Sequence, residues 1–210
     1  MANPHQVTKD FEKALCEYTG APYAVAVNSC TMALLLAVAW CLRGKALIDR
    51  EYDKRQAVEI PKRTYVSVPM SIIHAGGRPT FRDENWLGDY QLRPLPVWDS
   101  ARWFTGGMYN LSKQFVCVSF HWSKTLGIQQ GGAILHDDPE ADAWLRRARF
   151  DGRREGVAPK DDELPIVGWH CYLSPEVAAE GLVRLSFLPK YNAPLPNDDY
   201  PDLSKLEIFR

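Results

Sequence analysis

The chain has 210 residues and a formal net charge of −1, with 46% hydrophobic and 24% charged residues. These values are ordinary for a globular protein, and the length suffices for one sizeable α/β domain. The near-neutral charge argues against general binding to nucleic acid or to a membrane surface, and no run approaches the roughly 20 apolar residues of a membrane span. The longest apolar run, Met32 to Leu42, suits a buried helix.

Cysteine usage and the N-terminal sequence bear on the compartment. The five cysteines are odd in number and form no CxxC pair, which argues against a disulfide framework and against a zinc site. The N-terminus lacks the basic and then apolar regions of a signal peptide. We therefore expect a cytoplasmic protein without a bound metal.

Apolar periodicity and turn residues divide the chain into alternating helices and strands. We predict helices at residues 8–19, 31–42, 65–75, 139–150 and 175–188. We predict strands at residues 23–27, 57–60, 79–81, 95–98, 115–120 and 132–135, a charged loop at 44–54 and an extended C-terminal tail. This alternation indicates an α/β fold with a mostly parallel sheet, in which a ligand lies beyond the carboxyl ends of the strands.

The first candidate site segment is AVAVNSCTMALLL, a strand followed by a polar turn and the start of a helix. The backbone N–H groups of Cys30 and Thr31, the Thr31 hydroxyl and the helix dipole together suit a phosphate group. A Ser-x-Thr sequence before an apolar helix is also a common helix cap. The segment alone leaves both interpretations open.

The second segment, VWDSARW, places Asp99 at the end of an apolar strand, where a carboxylate is poorly placed for packing. A carboxylate beside the pyridine nitrogen is what pyridoxal 5′-phosphate (PLP) requires if its ring is to accept electrons. The alternative is that Asp99 only caps the following turn.

The third segment, SFHWSKTLGIQQGGAIL, places Lys124 in a loop between two strands. A lysine there can reach a cofactor aldehyde, and desolvation would lower its pKa enough for imine chemistry. The alternative is a solvated loop lysine.

Taken in order, these segments and VEIPKRTYVSVPMSIIHAGGRPTF resemble the DegT/DnrJ/StrS family of sugar aminotransferases, which are PLP-dependent enzymes of fold type I. WLRRARFDGR and GWHCYLSPEVAAEGLVRLSFL are similar to later segments of the same family. The resemblance runs in register from about Phe11 to Leu188.

The resemblance implies a role for each matching residue. Lys124 would hold PLP as a Schiff base and move the substrate proton, and Asp99 would pair with the pyridine nitrogen. The other implied cofactor contacts are Tyr65 stacked on the ring, Ala101 on its opposite face, Arg102 at the ring hydroxyl or a substrate carboxylate, and Cys30, Thr31 and Ser119 at the phosphate. His170 would reach the cofactor phosphate of a neighbouring subunit, so a homodimer with shared active sites is expected.

The chain also departs from the family. Cys30 stands where the family has a small glycine, and His170 where it has asparagine. The family has a longer stretch between residues 81 and 95, and a further domain after residue 188. We therefore expect a truncated large domain, a three-layer sandwich at residues 1–190, followed by an extended tail at 191–210.

The resemblance implies an aminotransferase that moves an amino group from glutamate or glutamine to a keto group, by analogy on a nucleotide sugar. Its partners would be small molecules, with neither nucleic acid nor membrane involved. Two alternatives stay open at this stage. The chain could be a catalytically degenerate PLP-binding protein with a regulatory or scaffolding role, or one subunit of a hetero-oligomeric aminotransferase.

Overall fold

The computed structural model describes residues 4–43, 55–109, 115–197 and 199–209. Its helices are α1 (Gln6–Thr19), α2 (Cys30–Leu42), α3 (Ser67–His74), α4 (Pro139–Ala148) and α5 (Pro175–Phe187). Its strands are β1 (Tyr23–Val27), β2 (Ala57–Pro61), β3 (Arg78–Arg82), β4 (Tyr90–Leu92), β5 (Val97–Ser100), β6 (Phe115–Ser119) and β7 (Gly132–His136). Every predicted helix and strand is found within a few residues of its expected bounds; β4 was not predicted, and the predicted loop at 44–54 lies outside the described residues.

The strands form one five-stranded sheet, in the order β1-β7-β6-β5-β4, and a parallel pair, β2 and β3. An antiparallel bridge between Glu59 of β2 and Arg93, directly after β4, joins the two. Followed across these pairings, β1, β2, β3, β5 and β6 all run in one direction, while β4 and β7 run in the other.

The sheet is therefore mixed. Most strands share a direction, as the sequence predicted, but only the β5–β6 and β2–β3 pairs are parallel neighbours. The two strands of opposite direction, β4 and β7, each lie between two strands of the common direction, so all of their pairings are antiparallel. β7 returns from β6 through a short connection and pairs with β1 on its other side, and β4 forms a hairpin with β5.

Helices cover both faces of the sheet, so the domain has three layers. Val25 and Val27 of β1 pack with α2, α3 and α4, while the alternate residues Ala24 and Ala26 pack with α1 and α5. The same alternation continues along β6 and β7. Strands that are buried on both faces read as continuous apolar runs, which is why β1, β6 and β7 were clear in the sequence.

Residues 189–197 and 199–209, here called the C-terminal strap, lie against the domain. The described part of the strap has no helix or strand before Leu203, and it ends in two short 3₁₀ turns, Leu203–Lys205 and Glu207–Phe209. The Leu203 side chain is fully buried, and its backbone N–H donates to the Lys62 carbonyl over 2.8 Å. Within the described ranges, no helix combines the length and apolarity that crossing a membrane requires.

A buried ion network joins α1 to β1 and α4. The Glu12 carboxylate accepts hydrogen bonds from Arg146 Nη1 (2.7 Å), the Ala26 N–H (2.9 Å) and the fully buried Arg149. Burial by itself would raise the pKa of Glu12, but the charges of Arg149 and Arg146 hold that pKa below its ordinary value of 4.5. The network therefore contributes its full stabilisation of the folded chain above about pH 4.5, the ordinary pKa of a glutamate. This contribution is lost as the pH falls through the lowered pKa of Glu12.

We expect Glu12→Ala to lower the free energy of unfolding by about 3 kcal/mol or more, because it leaves buried guanidinium groups without their main counter-charge. Urea denaturation at neutral pH measures this loss. Glu17→Ala is the matched control, since Glu17 lies on the same helix in an exposed pair with Lys13. Equal losses of unfolding free energy in the two variants would show that the buried network contributes no more to stability than the exposed pair.

Candidate active site

The carboxyl ends of β1, β2, β5 and β6 and the start of β7 meet at one edge of the sheet, around a cavity of about 380 Å³. That volume is typical of small-molecule sites. Most of the lining residues are polar, and all except Trp86 and Tyr200 lie at the ends of β1, β2, β5 and β6 or in the segments that follow them. They are Asn28, Ser29, Cys30, Thr31, Leu34, Thr64, Tyr65, Ser67, Val68, Trp86, Asp99, Ala101, Arg102, Ser119, His121, Ser123, Lys124, Gln130, Gly131 and Tyr200.

The turn after β1 presents the N-terminus of α2 to the cavity. Ser29 is the N-cap, and its hydroxyl accepts a hydrogen bond from the Met32 N–H over 3.2 Å. The Thr31 hydroxyl lies 2.8 Å from the Ser67 hydroxyl on α3. A helix N-terminus flanked by hydroxyls is suited to a phosphate. Cys30 fits this turn without strain, because Asp151 is the sole non-glycine residue with a positive φ in the described part of the chain.

The close approach of β7 to this turn depends on Gly132. A Cβ atom at Gly132 would lie 2.6 Å from the Cys30 nitrogen and 2.7 Å from the Val118 carbonyl oxygen, closer than real contacts allow. The Cys30 thiol is itself buried, and burial raises its pKa well above the ordinary value. Cys30 is therefore a neutral thiol that contributes backbone and volume to the site.

Asp99 is the penultimate residue of β5, and it is almost completely buried. Its Oδ1 accepts a hydrogen bond from the Ala101 N–H (2.9 Å), and its Oδ2 accepts one from the Tyr90 hydroxyl (2.7 Å). Burial raises the pKa of Asp99, while these two donors and the charge of Lys124 oppose that rise. Asp99 thus caps the turn and also lines the cavity, so the two interpretations left open by the sequence are compatible.

The sequence did not predict a role for Tyr90, because its strand β4 has only three residues and gives no recognisable pattern. Its buried hydroxyl lies between Asp99 and the Thr64 hydroxyl, 2.5 Å from the latter. Burial and the neighbouring Asp99 charge raise the pKa of Tyr90 well above its ordinary value. The phenol therefore stays protonated and donates to the carboxylate.

Lys124 lies in the loop between β6 and β7. The loop is held by hydrogen bonds from the Lys124 N–H to the His121 carbonyl (2.8 Å) and from the Ile128 N–H to the Phe120 carbonyl (3.0 Å). Lys124 lines the cavity. Its charge opposes the rise in pKa that burial causes at both Asp99 and Cys30. A primary amine and a buried carboxylate therefore face the same enclosed space, together with Ser119 at the end of β6.

Tyr65 and Arg102 also line the cavity. Tyr65 is 57% exposed. The Arg102 guanidinium is mostly buried and donates to the Pro196 carbonyl of the strap, so this residue anchors the strap as well as lining the cavity. Ala101 also lines the cavity beside Asp99.

His170 is not among the residues that line the cavity in this chain. Its side chain is 70% exposed and pairs with Asp151, the Nδ1 and Oδ2 atoms being 2.8 Å apart. The structure therefore brings together all the expected site residues except His170, whose contact with a neighbouring subunit stays a prediction.

The cavity also contains residues that the sequence did not single out. Gln130 stands in the quoted Lys124 segment, beside the glycine pair, and that position could have signalled it. Trp86 and Tyr200 lie in segments without a recognisable motif. Sequence reasoning had no signal for these two aromatic residues.

Residues 3–93 match the sequence model of the DegT/DnrJ/EryC1/StrS aminotransferase family. A spore coat polysaccharide biosynthesis protein of Bacillus subtilis is 40% identical over 81 residues, which are 38% of this chain and 18% of that protein. A UDP-4-amino-4,6-dideoxy-N-acetyl-β-L-altrosamine transaminase of Campylobacter jejuni is 25% identical over 218 aligned positions, covering 85% of this chain and 56% of that protein. A Bacillus subtilis crystal structure with bound cofactor PMP has a TM-score of 0.65 at 18% identity, covering 87% of this chain and 48% of that one.

These comparisons confirm the resemblance. The chain carries a DegT/DnrJ/EryC1/StrS aminotransferase family segment at residues 3–93, and most of its length has the α/β fold of the structural neighbours. The chain spans about half the length of the second curated relative, and less of the first.

We expect Tyr90→Phe to raise the pKa of Asp99, because the substitution removes a hydroxyl donor that stabilises the ionised carboxylate. Difference infrared spectroscopy of the ligand-free protein, followed over pH, measures the protonated carboxyl band, and Asp99→Asn identifies the band by removing it. The phenylalanine ring preserves the packing of Tyr90. An unchanged titration would show that the hydroxyl does not control Asp99.

Proposed function

We propose that the chain is the PLP-binding domain of an aminotransferase, formed by residues 1–190 and followed by an extended C-terminal tail at residues 191–210. The observation that carries this proposal is the placement of Lys124 and Asp99 on the same cavity as the N-terminus of α2. An amine, a carboxylate and a phosphate-binding turn are the three features that PLP requires of a protein.

The residues present fit the cofactor. The phosphate would bind at the backbone of Cys30 and Thr31 and at the hydroxyls of Thr31 and Ser119, all of which face the cavity. Two further residues would hold the ring, Tyr65 on one face and Ala101 on the other. Arg102 would approach the ring hydroxyl or a substrate carboxylate.

Bound PLP supplies an aldehyde for amines and a ring that withdraws electrons from the substrate. The chain supplies the acid–base groups. The Lys124 amine would bind the cofactor covalently and, when displaced, carry a proton between substrate and cofactor carbons. Asp99, held by Tyr90 and Ala101, would keep the pyridine nitrogen protonated.

The substrates are part of the proposal. The Campylobacter jejuni relative is named as a transaminase of a UDP-linked sugar, which supports an acceptor keto group on a nucleotide sugar. Glutamate or glutamine would be the amino donor. All five cysteines are unpaired, which fits the reducing cytoplasm as the proposed compartment.

Lys124→Ala should abolish covalent trapping of the cofactor. The wild-type protein incubated with PLP and then reduced with borohydride should carry the label on the peptide containing Lys124, as peptide mass spectrometry will show. Lys113→Ala is the control, since Lys113 is the nearest lysine in the sequence; it lies outside the described residues. A Lys124→Ala protein that still trapped PLP covalently would overturn the assignment.

We further propose a homodimer with shared active sites, in which His170 reaches the partner's cofactor phosphate. Within one chain His170 is exposed and away from the cavity, as such a role requires. Its ring lies against Tyr172, with centroids 5.0 Å apart in an edge-on arrangement. Aromatic residues of this kind are enriched in protein interfaces.

Mixing a Lys124→Ala chain with a His170→Ala chain tests the dimer. Each homodimer should be inactive, or nearly so, whereas a hybrid dimer should regain one working site, because one subunit supplies Lys124 and the other His170. His74→Ala, which alters an exposed histidine on α3, is the control and should keep full activity. A protein that is fully active yet monomeric by light scattering would exclude the shared site.

A further inference from the structure

The C-terminal strap places a tyrosine at the cavity, and the proposed cofactor chemistry does not use it. Tyr200 lines the cavity together with Trp86 and Tyr65. We infer that Trp86 and Tyr200, next to the Tyr65 ring that is proposed to stack on the cofactor, form an aromatic wall that binds a ring of the acceptor substrate, and that Tyr200 determines affinity for that substrate. The inference rests on the proposed function and names the part of the substrate that the site recognises.

The strap is fixed on both sides of Tyr200. Before it, the Leu195 N–H donates to the Arg102 carbonyl over 2.8 Å. After it, the Leu203 N–H donates to the Lys62 carbonyl over 2.8 Å, and the Leu203 side chain is fully buried. The two attachments join the strap to the segments that follow β5 and β2. Tyr200 is therefore held at the cavity by backbone contacts on either side of it in the sequence.

The rings of the wall are ordered with respect to one another. Trp86 and Tyr200 are nearly parallel, with centroids 6.3 Å apart and an interplanar angle of 15°. Tyr65 meets Tyr200 edge-on at 6.5 Å. The Trp86 indole N–H donates to the Arg63 carbonyl over 2.9 Å, which fixes the plane of that ring. Contacts within the chain thus fix the arrangement of these rings.

The wall lies at the same cavity as Lys124, where the acceptor must react. Trp86 packs against Tyr90 on the domain, with ring centroids 4.7 Å apart, while Trp86 and Tyr200 are both only partly buried and line the cavity, so part of their aromatic surface faces the ligand space. A ligand ring that covers an aromatic face gains stacking energy. The amino donor is acyclic and offers no ring, whereas a nucleotide sugar offers three, the hexose, the ribose and the base. The aromatic wall therefore fits the acceptor and not the donor.

Calorimetric titration of the PLP-loaded protein with UDP-N-acetylglucosamine, and separately with UDP, tests the inference. Tyr200→Ala should weaken binding of the sugar nucleotide by about tenfold, the size expected when one stacking ring is removed, and Tyr200→Phe should restore most of it. Weakening seen with UDP as well places the nucleoside, that is the base or the ribose, on the wall. Weakening with the sugar nucleotide alone places the hexose there. Binding of both probes unchanged by Tyr200→Ala would overturn the inference.

Tyr191→Ala is the matched control, because Tyr191 lies on the same strap, is 77% exposed and is not among the cavity residues. It should bind both probes as the wild type does, and an equal loss in this variant would also count against the wall. PLP binding separates the two proposals. If Tyr200→Ala retains PLP trapped on Lys124 but loses sugar-nucleotide affinity, both stand. If trapping on Lys124 fails in the wild type, the proposed function fails first.

Discussion

A buried carboxylate is the constraint around which the site is arranged. Asp99 is taken out of water at the end of an apolar strand, and an unpartnered carboxylate there would be strongly unfavourable. It is compensated by the Tyr90 hydroxyl, the Ala101 N–H and the nearby charge of Lys124. These groups come from β4, from the turn after β5 and from the loop after β6, so compensating one carboxylate fixes three separate segments around the cavity.

The directions of the strands make that convergence possible. β1, β2, β5 and β6 end at the same edge of the sheet, so the segments that follow them share one cavity. The reversed strand β7 begins at that edge, and its first residue, Gly132, lets the backbone approach the turn at Cys30. A side chain at that position would push the turn at Cys30 away from the rest of the cavity.

Much of this could be read from the sequence, for identifiable reasons. β1 and the start of α2 have strong local signals, an apolar run followed by a serine N-cap, and Lys124 and Asp99 lie in segments with a recognisable pattern. Tyr90 could not be found because its strand is short and depends on pairing with β5. Tyr200 could not be found because its position is set by contacts between distant parts of the chain, at Arg102 and Lys62, rather than by its neighbours in sequence.

The pKa of Asp99 also bears on the choice between a catalyst and a protein that only binds the cofactor. Because burial raises that pKa above its ordinary value of 3.8, the ionised carboxylate makes the ligand-free fold less stable at neutral pH than a neutral group would. Covalent retention needs only Lys124 and a phosphate site, and asparagine in place of Asp99 would accept the same backbone hydrogen bond without that cost. A protonated pyridine nitrogen beside the carboxylate would offset the cost, and protonation of that nitrogen is what makes the ring an electron acceptor. Burial of a carboxylate at this position therefore favours catalysis over mere binding.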